Sequence, residues 1–330
     1  MLNPRRLCAA LSILAVVASP FKMAVASEIY VAATIKPLHG LVQMVLGDEG
    51  QAVMLMPEAA SPHHVTLRPS DRRHLSRADL VVIIDPEFET THAKALPTAQ
   101  RVLTATSLNG IRLFERRTSG EFGHSDEIES HIEGEEGHDE HDDHAEHAGH
   151  SHDNDGIFGL YDLHLWLLPE NAKVILTGVA AELSAIYPEH AEDFARNAKA
   201  AAMRIDAMDA EIAAMLAPYK DIPLMAYHDA YVYFETHYGL AMVSTVMNHH
   251  DEAAGVNRVR QLRKLITASG VKCIFHEPQF NARILDVIDP GKQVARAELD
   301  PIGAAIPKGA DLYPEMMMRL AKSVKSCLAP

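Results

Sequence analysis

Ile29-Tyr30-Val31-Ala32-Ala33-Thr34-Ile35 is a short apolar run of β type, and a helical pattern follows it directly. Runs of the same kind recur at Ala52 to Met56, Leu80 to Asp85 and Arg101 to Thr104, separated by helical patterns. Such alternation means βαβ units around a parallel sheet. It resumes after Lys220 with Ile222 to Tyr227, Leu240 to Ser244, Val271 to His276 and Val294 to Leu299, a second unit of similar size. The expected fold class is therefore α/β: two (β/α) lobes with parallel sheets, over residues 27–187 and 218–330.

Two helical segments lie between these units. The first is Glu170 to Ile186, opened by Pro169, and the second runs from Pro188 to Ala217. In the second, Phe194, Ala198, Ala201, Ile205, Met208, Ile212 and Met215 recur at spacings of three and four, which lays one apolar face along its whole length. At ~1.5 Å per residue it would reach ~45 Å, as long as a small lobe is wide. Residues 188–217 are thus expected to be a rigid linking helix that limits hinging between the lobes.

The formal charge of -15 over 330 residues suggests an acidic surface, but residues 121–155 alone hold fourteen Asp or Glu and no Lys or Arg. Elsewhere 31 acidic residues face 30 basic ones, so the acidity is a local device. Nothing supplies the basic stripe that phosphate contacts need, and nucleic acid is excluded as a partner. Eight of the twenty histidines also fall between His124 and His152, interleaved with carboxylates, a composition that favours a divalent metal. Residues 118–156 have no apolar periodicity and read as a disordered His- and acid-rich insertion in the first lobe. Within it His138, His141, His144, His147 and His150 repeat every third residue and make a candidate secondary metal site.

At the N-terminus, Arg5 and Arg6 precede an apolar stretch from Leu7 to Ala18, and Ala24-Val25-Ala26 offers a small-residue cleavage site. Residues 1–26 are read as an export signal. The apolar stretch is too short to span a bilayer and no later one approaches ~20 residues, so a soluble exported protein is expected. Cys8 lies early in the signal, which argues against lipid attachment. The two remaining cysteines, Cys273 and Cys327, would pair in an oxidising compartment; two buried free thiols are the alternative.

Four places put a metal-type ligand after an expected strand or before a helix, where open α/β sheets bind ligands. Met54-Leu55-Met56 leads to Ser61-Pro62-His63-His64, and Tyr161-Asp162-Leu163-His164-Leu165-Trp166 precedes Pro169. Leu224-Met225-Ala226-Tyr227 ends in His228-Asp229, and Ala297-Glu298-Leu299 ends in Asp300-Pro301. Taken singly, a His after a strand is more often a surface or hydrogen-bonded residue than a ligand. His64 is expected to point away from the cleft, since consecutive side chains of an extended segment diverge. His39 follows the first strand and could face the site. His249, His250 and Asp251 read as solvated loop residues, Trp166 as packing beneath the site, and Met316-Met317-Met318 as core.

These motifs carry a specific resemblance. Ser61-Pro62-His63 with Leu67-Arg68-Pro69-Ser70-Asp71, then Asp162-Leu163-His164-Leu165-Trp166-Leu167, His228-Asp229-Ala230-Tyr231 and Glu277-Pro278-Gln279-Phe280 resemble ZnuA-type periplasmic zinc-binding proteins, the metal-binding subunits of zinc ABC transporters. The likeness runs in order from residue 29 to the C-terminus and includes the His-rich insertion and the placement of Cys273 and Cys327. It implies a periplasmic protein with one zinc in an interlobe cleft and no catalysis. It also implies an ABC permease with its cytoplasmic ATPase as partner, a periplasmic metal chaperone as a further one, and a monomeric state. By the same resemblance His63, His164 and His228 are the imidazole ligands and Asp300 the fourth, with water as its alternative. Three neutral imidazoles suit zinc, whereas the related manganese receptors tend to carry a carboxylate where His228 stands.

Two other classes remain as competing expectations. A zinc-dependent hydrolase would need a general base beside a metal-bound water, and no His-Glu-x-x-His or comparable motif occurs. A metal-buffering protein acting only through its His-rich stretch would need no cleft ligands.

Overall fold

The computed structural model of the chain describes residues 29–57, 68–117, 157–247 and 255–329. The expected signal, the His-rich insertion, the segment with His63 and His64, and the one with His249 to Asp251 lie outside the described residues. The first lobe contains β1 (Ile29–Ala33), α1 (Lys36–Leu46), β2 (Gly50–Met54), α2 (Pro69–Arg77), β3 (Leu80–Ile83), α3 (Thr90–Ala93) and β4 (Val102–Thr104). Next come β5 (Phe114–Glu115), α4 (Ile157–Leu160), β6 (Tyr161–Asp162), α5 (Pro169–Ile186) and α6 (Ala191–Leu216). The second lobe holds β7 (Pro223–Ala226), α7 (Val232–Tyr238), β8 (Ala241–Thr245), α8 (Val256–Ser269), β9 (Cys273–His276), α9 (Arg283–Ile288), β10 (Ala295–Glu298) and α10 (Leu312–Leu328).

Every strand expected from the apolar runs is present, and both main sheets are parallel. Their orders are β2-β1-β3-β4 and β10-β9-β7-β8. Read from the other edge, the second sheet repeats the first: the second strand, the first, the third, the fourth. Each sheet therefore has a switch point between its first and third strands, where connections leave in opposite directions and open a crevice beyond the strand ends. The antiparallel ribbon β5–β6 is a finding the sequence did not signal, because two-residue strands leave no alternation to read. Its strands are the flanks of the insertion, with Phe114 opposite Asp162 and Glu115 opposite Tyr161.

Strand alternation divides the apolar residues between faces. Val31, Ala33, Leu80 and Val82 from the first sheet join Leu224, Ala226, Cys273 and Phe275 from the second in one continuous core. Ala32, Val81 and Ile83 point the other way into a small cluster of the first lobe, and Met225, Tyr227 and Ile274 do the same in the second. The shared core is filled by helices. The apolar face of α6 is buried from Phe194 to Leu216, and the helix packs against α1, α5 and α10. Its ends differ slightly from the expected 188–217: Pro188–His190 and Ala217–Tyr219 are tighter 3₁₀ turns around the α-helix.

Close contacts tie the lobes further. A Cβ on Gly40 of α1 would sit 3.2 Å from Leu312 Cβ and from the Tyr313 amide nitrogen of α10, so glycine permits this approach. Trp166 Nε1 donates to the Pro301 carbonyl at 2.8 Å, and Tyr313 Oη donates to the Trp166 carbonyl at 2.8 Å. The Lys36 ammonium, buried despite its charge, donates to the Ala304 carbonyl at 2.7 Å.

Cys273 at the start of β9 and Cys327 near the end of α10 form a disulfide, with Cα atoms 6.1 Å apart and 54 residues of separation. This pins the C-terminal helix to the sheet. Replacing both cysteines with Ala is expected to lower unfolding free energy by about 4 kcal/mol, the chain-entropy value for a loop of that size. Urea denaturation of the variant and of wild type under oxidising conditions measures it, and equal midpoints would remove the stapling role.

Candidate metal centre

His164 stands two residues beyond β6 and His228 two residues beyond β7, so they enter the interlobe cleft from opposite lobes. Their rings meet edge to face with centroids 5.3 Å apart. Both are nearly buried, 6% and 7% exposed. His164 Nδ1 lies 3.1 Å from Asp162 Oδ1, and His228 Nδ1 is hydrogen-bonded to Glu277 Oε1. An ionised carboxylate only accepts, so each Nδ1 carries the proton and each Nε2 the lone pair that a metal takes.

Local geometry explains these placements. Asp162 Oδ1 also accepts from the His164 backbone N–H at 2.8 Å, an Asx turn that folds the chain out of β6. Burial alone would raise the Asp162 carboxyl, but His164, the hydrogen bonds from it and Arg117 hold it below its usual range. Glu277 follows β9, the neighbour of β7, so His228 and Glu277 straddle the switch point of the second sheet. Aromatic rings complete the walls. Phe88 and Trp166 lie 5.5 and 5.3 Å from His164, and Phe280 lies 5.3 Å from His228. Trp166 is fully buried, as expected of packing beneath the site.

The other expected ligands fare differently. His63, the five histidines from His138 to His150, His64 and the His249 to Asp251 group lie outside the described residues. Asp300 lies at the strand ends of the second lobe but turns into its own loop. Its Oδ1 accepts from Gln279 Nε2 and the amides of Ile302 and Gly303, and its Oδ2 from the Ala304 amide. His39 is engaged with β2, its Nε2 3.1 Å from the Ala52 carbonyl. The three methionines Met316 to Met318 are buried in the shared core.

Two groups of described residues have three metal-type ligand atoms within 4.8 Å of one another: Glu49, His190, Asp193 and Glu170, Asp209, His237. Both are half-exposed ion-pair clusters, with His190 Nδ1 at 2.9 Å from Glu49 and His237 Nε2 at 2.8 Å from Asp209. His164, His228 and Asp300 do not form such a group.

Sequence reasoning passed over the residues that orient the imidazoles. Glu277 stood in a quoted motif without a role, and Asp162 could have been found from its position two residues before His164, the spacing of an Asx turn. Arg117 carried no signal. Its Nε and Nη2 bind both oxygens of Asp229, and its Nη1 binds Glu235. Burial pushes Glu235 up to about 7, with Asp229 and Asp162 adding to the rise and Arg117 opposing it.

The first lobe repeats the straddling arrangement in another form. Thr34 follows β1 and donates to Glu89, which follows β3 and also accepts the amides of Ile84 and Asp85 at 3.1 Å. Burial pushes the Glu89 carboxyl up to about 7, against these hydrogen bonds and with help from Asp85.

Comparison with known proteins places this architecture. Residues 31–327 match the family model described as the periplasmic zinc-uptake complex component A, ZnuA. The high-affinity zinc uptake system protein ZnuA of Brucella suis biovar 1 (strain 1330) is 34% identical over 305 residues, covering 91% of each chain. A crystal structure of ZnuA superposes with a TM-score of 0.72 at 18% identity, over 91% of this chain and 99% of that one. A ZnuA deletion mutant solved with zinc bound gives a TM-score of 0.68 at 19% identity, over 90% and 98%.

The Glu89 brace gives a signed pH dependence. A carboxyl raised by folding contributes stability that is complete below its unfolded value near 4.5 and is lost as pH rises through about 7. His39, pushed down to about 4 by burial, acts oppositely as pH falls from 6.5, so the overall profile conceals both. Wild type is therefore expected to gain up to about 3 kcal/mol relative to Glu89→Gln between pH 8 and pH 4.5. Urea midpoints of the two proteins across that range measure it, and a constant difference would refute the buried, proton-binding carboxyl.

Proposed function

Because the chain belongs to the ZnuA family of periplasmic zinc-uptake components, we propose that it captures Zn2+ in its interlobe cleft and hands it to an ABC transporter. It is a transport receptor and not an enzyme, and the ion is its cargo. The observation that carries this reading is the meeting of His164 and His228 from opposite lobes, each with a carboxylate at Nδ1. Imidazoles so oriented present Nε2 to an ion, with the tautomer and ring direction fixed by the carboxylate. His63, His164 and His228 are the imidazole ligands in this reading. Asp300 is the fourth, through Oδ2, whose hydrogen bond comes from one amide while Oδ1 takes three. A shell rich in neutral imidazole suits tetrahedral zinc better than manganese, which prefers oxygen.

Capture follows from a site shared by two lobes. Zinc that binds both His164 and His228 stabilises the arrangement in which they converge, and that loaded shape is the one a permease can select. Residues 1–26 direct export to the periplasm in this reading and are then removed. No helix among the described residues is long and apolar enough to cross a membrane. The receptor acts as a monomer on a permease driven by a cytoplasmic ATPase, and a periplasmic metal chaperone is a further partner.

Substitution tests the ligand set. His228→Ala is expected to weaken zinc binding at least a hundredfold, His64→Ala to leave it within about threefold, and Asp300→Ala to have an intermediate effect because water fills the vacancy. Competition against a chelating dye gives the affinities. Equal losses in His228→Ala and His64→Ala would overturn the assignment.

Deleting residues 124–152 removes eight imidazoles but none of the four proposed cleft ligands. One tight zinc is expected to remain and only weaker ions to disappear. In the full chain those weaker ions should be lost as pH drops through roughly 6.5, where exposed imidazoles protonate, while the tight ion persists lower. Titration calorimetry on both proteins at pH 7.5 and 5.5 decides, and loss of the tight ion on deletion would place a primary ligand in the insertion.

A further inference from the structure

Arg117 reaches from the first-lobe ribbon, two residues past β5, to two carboxylates of the second lobe. Its fork binds Asp229 through Nε, at 3.1 Å, and through Nη2, and it binds Glu235 of α7 through Nη1. The ribbon itself is clasped by α7. Tyr233 Oη donates to the Asp162 carbonyl at 2.6 Å and accepts from the Phe114 amide at 3.1 Å, while its ring stacks on Phe114 at 4.7 Å. The guanidinium is thus held against the two segments that bear the cleft imidazoles, since Asp162 binds His164 and Asp229 directly follows His228. Its side chain is 18% exposed, as is that of Asp229.

A carboxylate on the residue directly after a proposed ligand has two outcomes: it is held by other donors, or it is free to turn toward the ion. Here both oxygens of Asp229 are occupied by one guanidinium, a planar fork that a lysine cannot reproduce. We infer that Arg117 is a specificity-determining positioning residue: by sequestering the Asp229 carboxylate next to His228, it keeps the metal shell rich in imidazole and thereby favours zinc over oxygen-preferring cations such as Mn2+. The physical basis is ligand softness, because adding a carboxylate to an imidazole site shifts preference toward manganese and toward higher coordination number. The inference rests on His164 and His228 as ligands.

The test uses the full chain and the metals themselves. Zn2+ and Mn2+ affinities are measured by dye competition, and the visible absorption of the Co2+ form reports coordination number, which a purely structural loss of stability would not change. Arg117→Gln is expected to narrow the zinc-to-manganese affinity ratio at least tenfold and to weaken the Co2+ bands as coordination rises above four. Arg117→Lys should fall between it and wild type, and provides the same readouts if the Gln variant does not fold. Arg117→Gln/Asp229→Asn, which has no carboxylate to release, should recover the wild-type ratio. Overturning results are a wild-type ratio and Co2+ spectrum in the folded Arg117 variants, or the same gain of manganese binding in Asp229→Asn alone. His228→Ala separates the two readings: tight zinc binding in that variant means that the ligand set has failed. Its loss there, with Arg117 variants unchanged, means that only the inference about Arg117 has failed.

Discussion

Val31 and Val82 from one sheet and Leu224 and Phe275 from another point into a single continuous apolar core, filled between them by α1, α5, α6 and α10. Protein interiors pack like crystals and transmit displacement, so lobes that share a core cannot swing apart without opening it. Buried polar bonds reinforce the constraint. The bond from Trp166 Nε1 to Pro301, that from Tyr313 to Trp166, and that from Lys36 to Ala304 each tie parts of the chain distant in sequence. Breaking any of them without solvent access leaves an unsatisfied buried group at a cost of about 1–3 kcal/mol.

A shared core makes the separation of His164 and His228 a property of the fold. Each imidazole is further oriented by its own carboxylate and flanked by aromatic rings. These two imidazoles are therefore held in place by the fold itself.

The two sheets repeat one strand order and use it differently. In the second lobe, the pair across the switch point is His228 and Glu277, an imidazole with its orienting acid. In the first lobe it is Thr34 and Glu89, a hydroxyl donating to a carboxyl that is buried and raised to about 7. Glu89 braces the ends of β1 and β3 from within, while His164 arrives from the ribbon. One topology thus offers two crevices, and the side chains at the strand ends decide which one places an imidazole in the cleft directly.

Much of this was readable in the chain. Apolar runs at Ile29, Leu80, Ile222 and Val271 reveal parallel strands because hydrophobic burial demands them, and spacings of three and four reveal α6 because helical periodicity does. His164 and His228 were legible from their motifs, as was the pairing of Cys273 with Cys327 from the compartment and the placement in the family. Tertiary structure alone decided the rest. That the lobes share one core depends on which face each strand turns inward, and that Asp300 turns into its own loop depends on four donors it meets only after folding. Glu277 acts on His228, 49 residues away in the chain, and Arg117 on Glu235, 118 residues away. No local pattern encodes such pairs, because side-chain orientation toward a distant segment is set by packing and not by sequence neighbours.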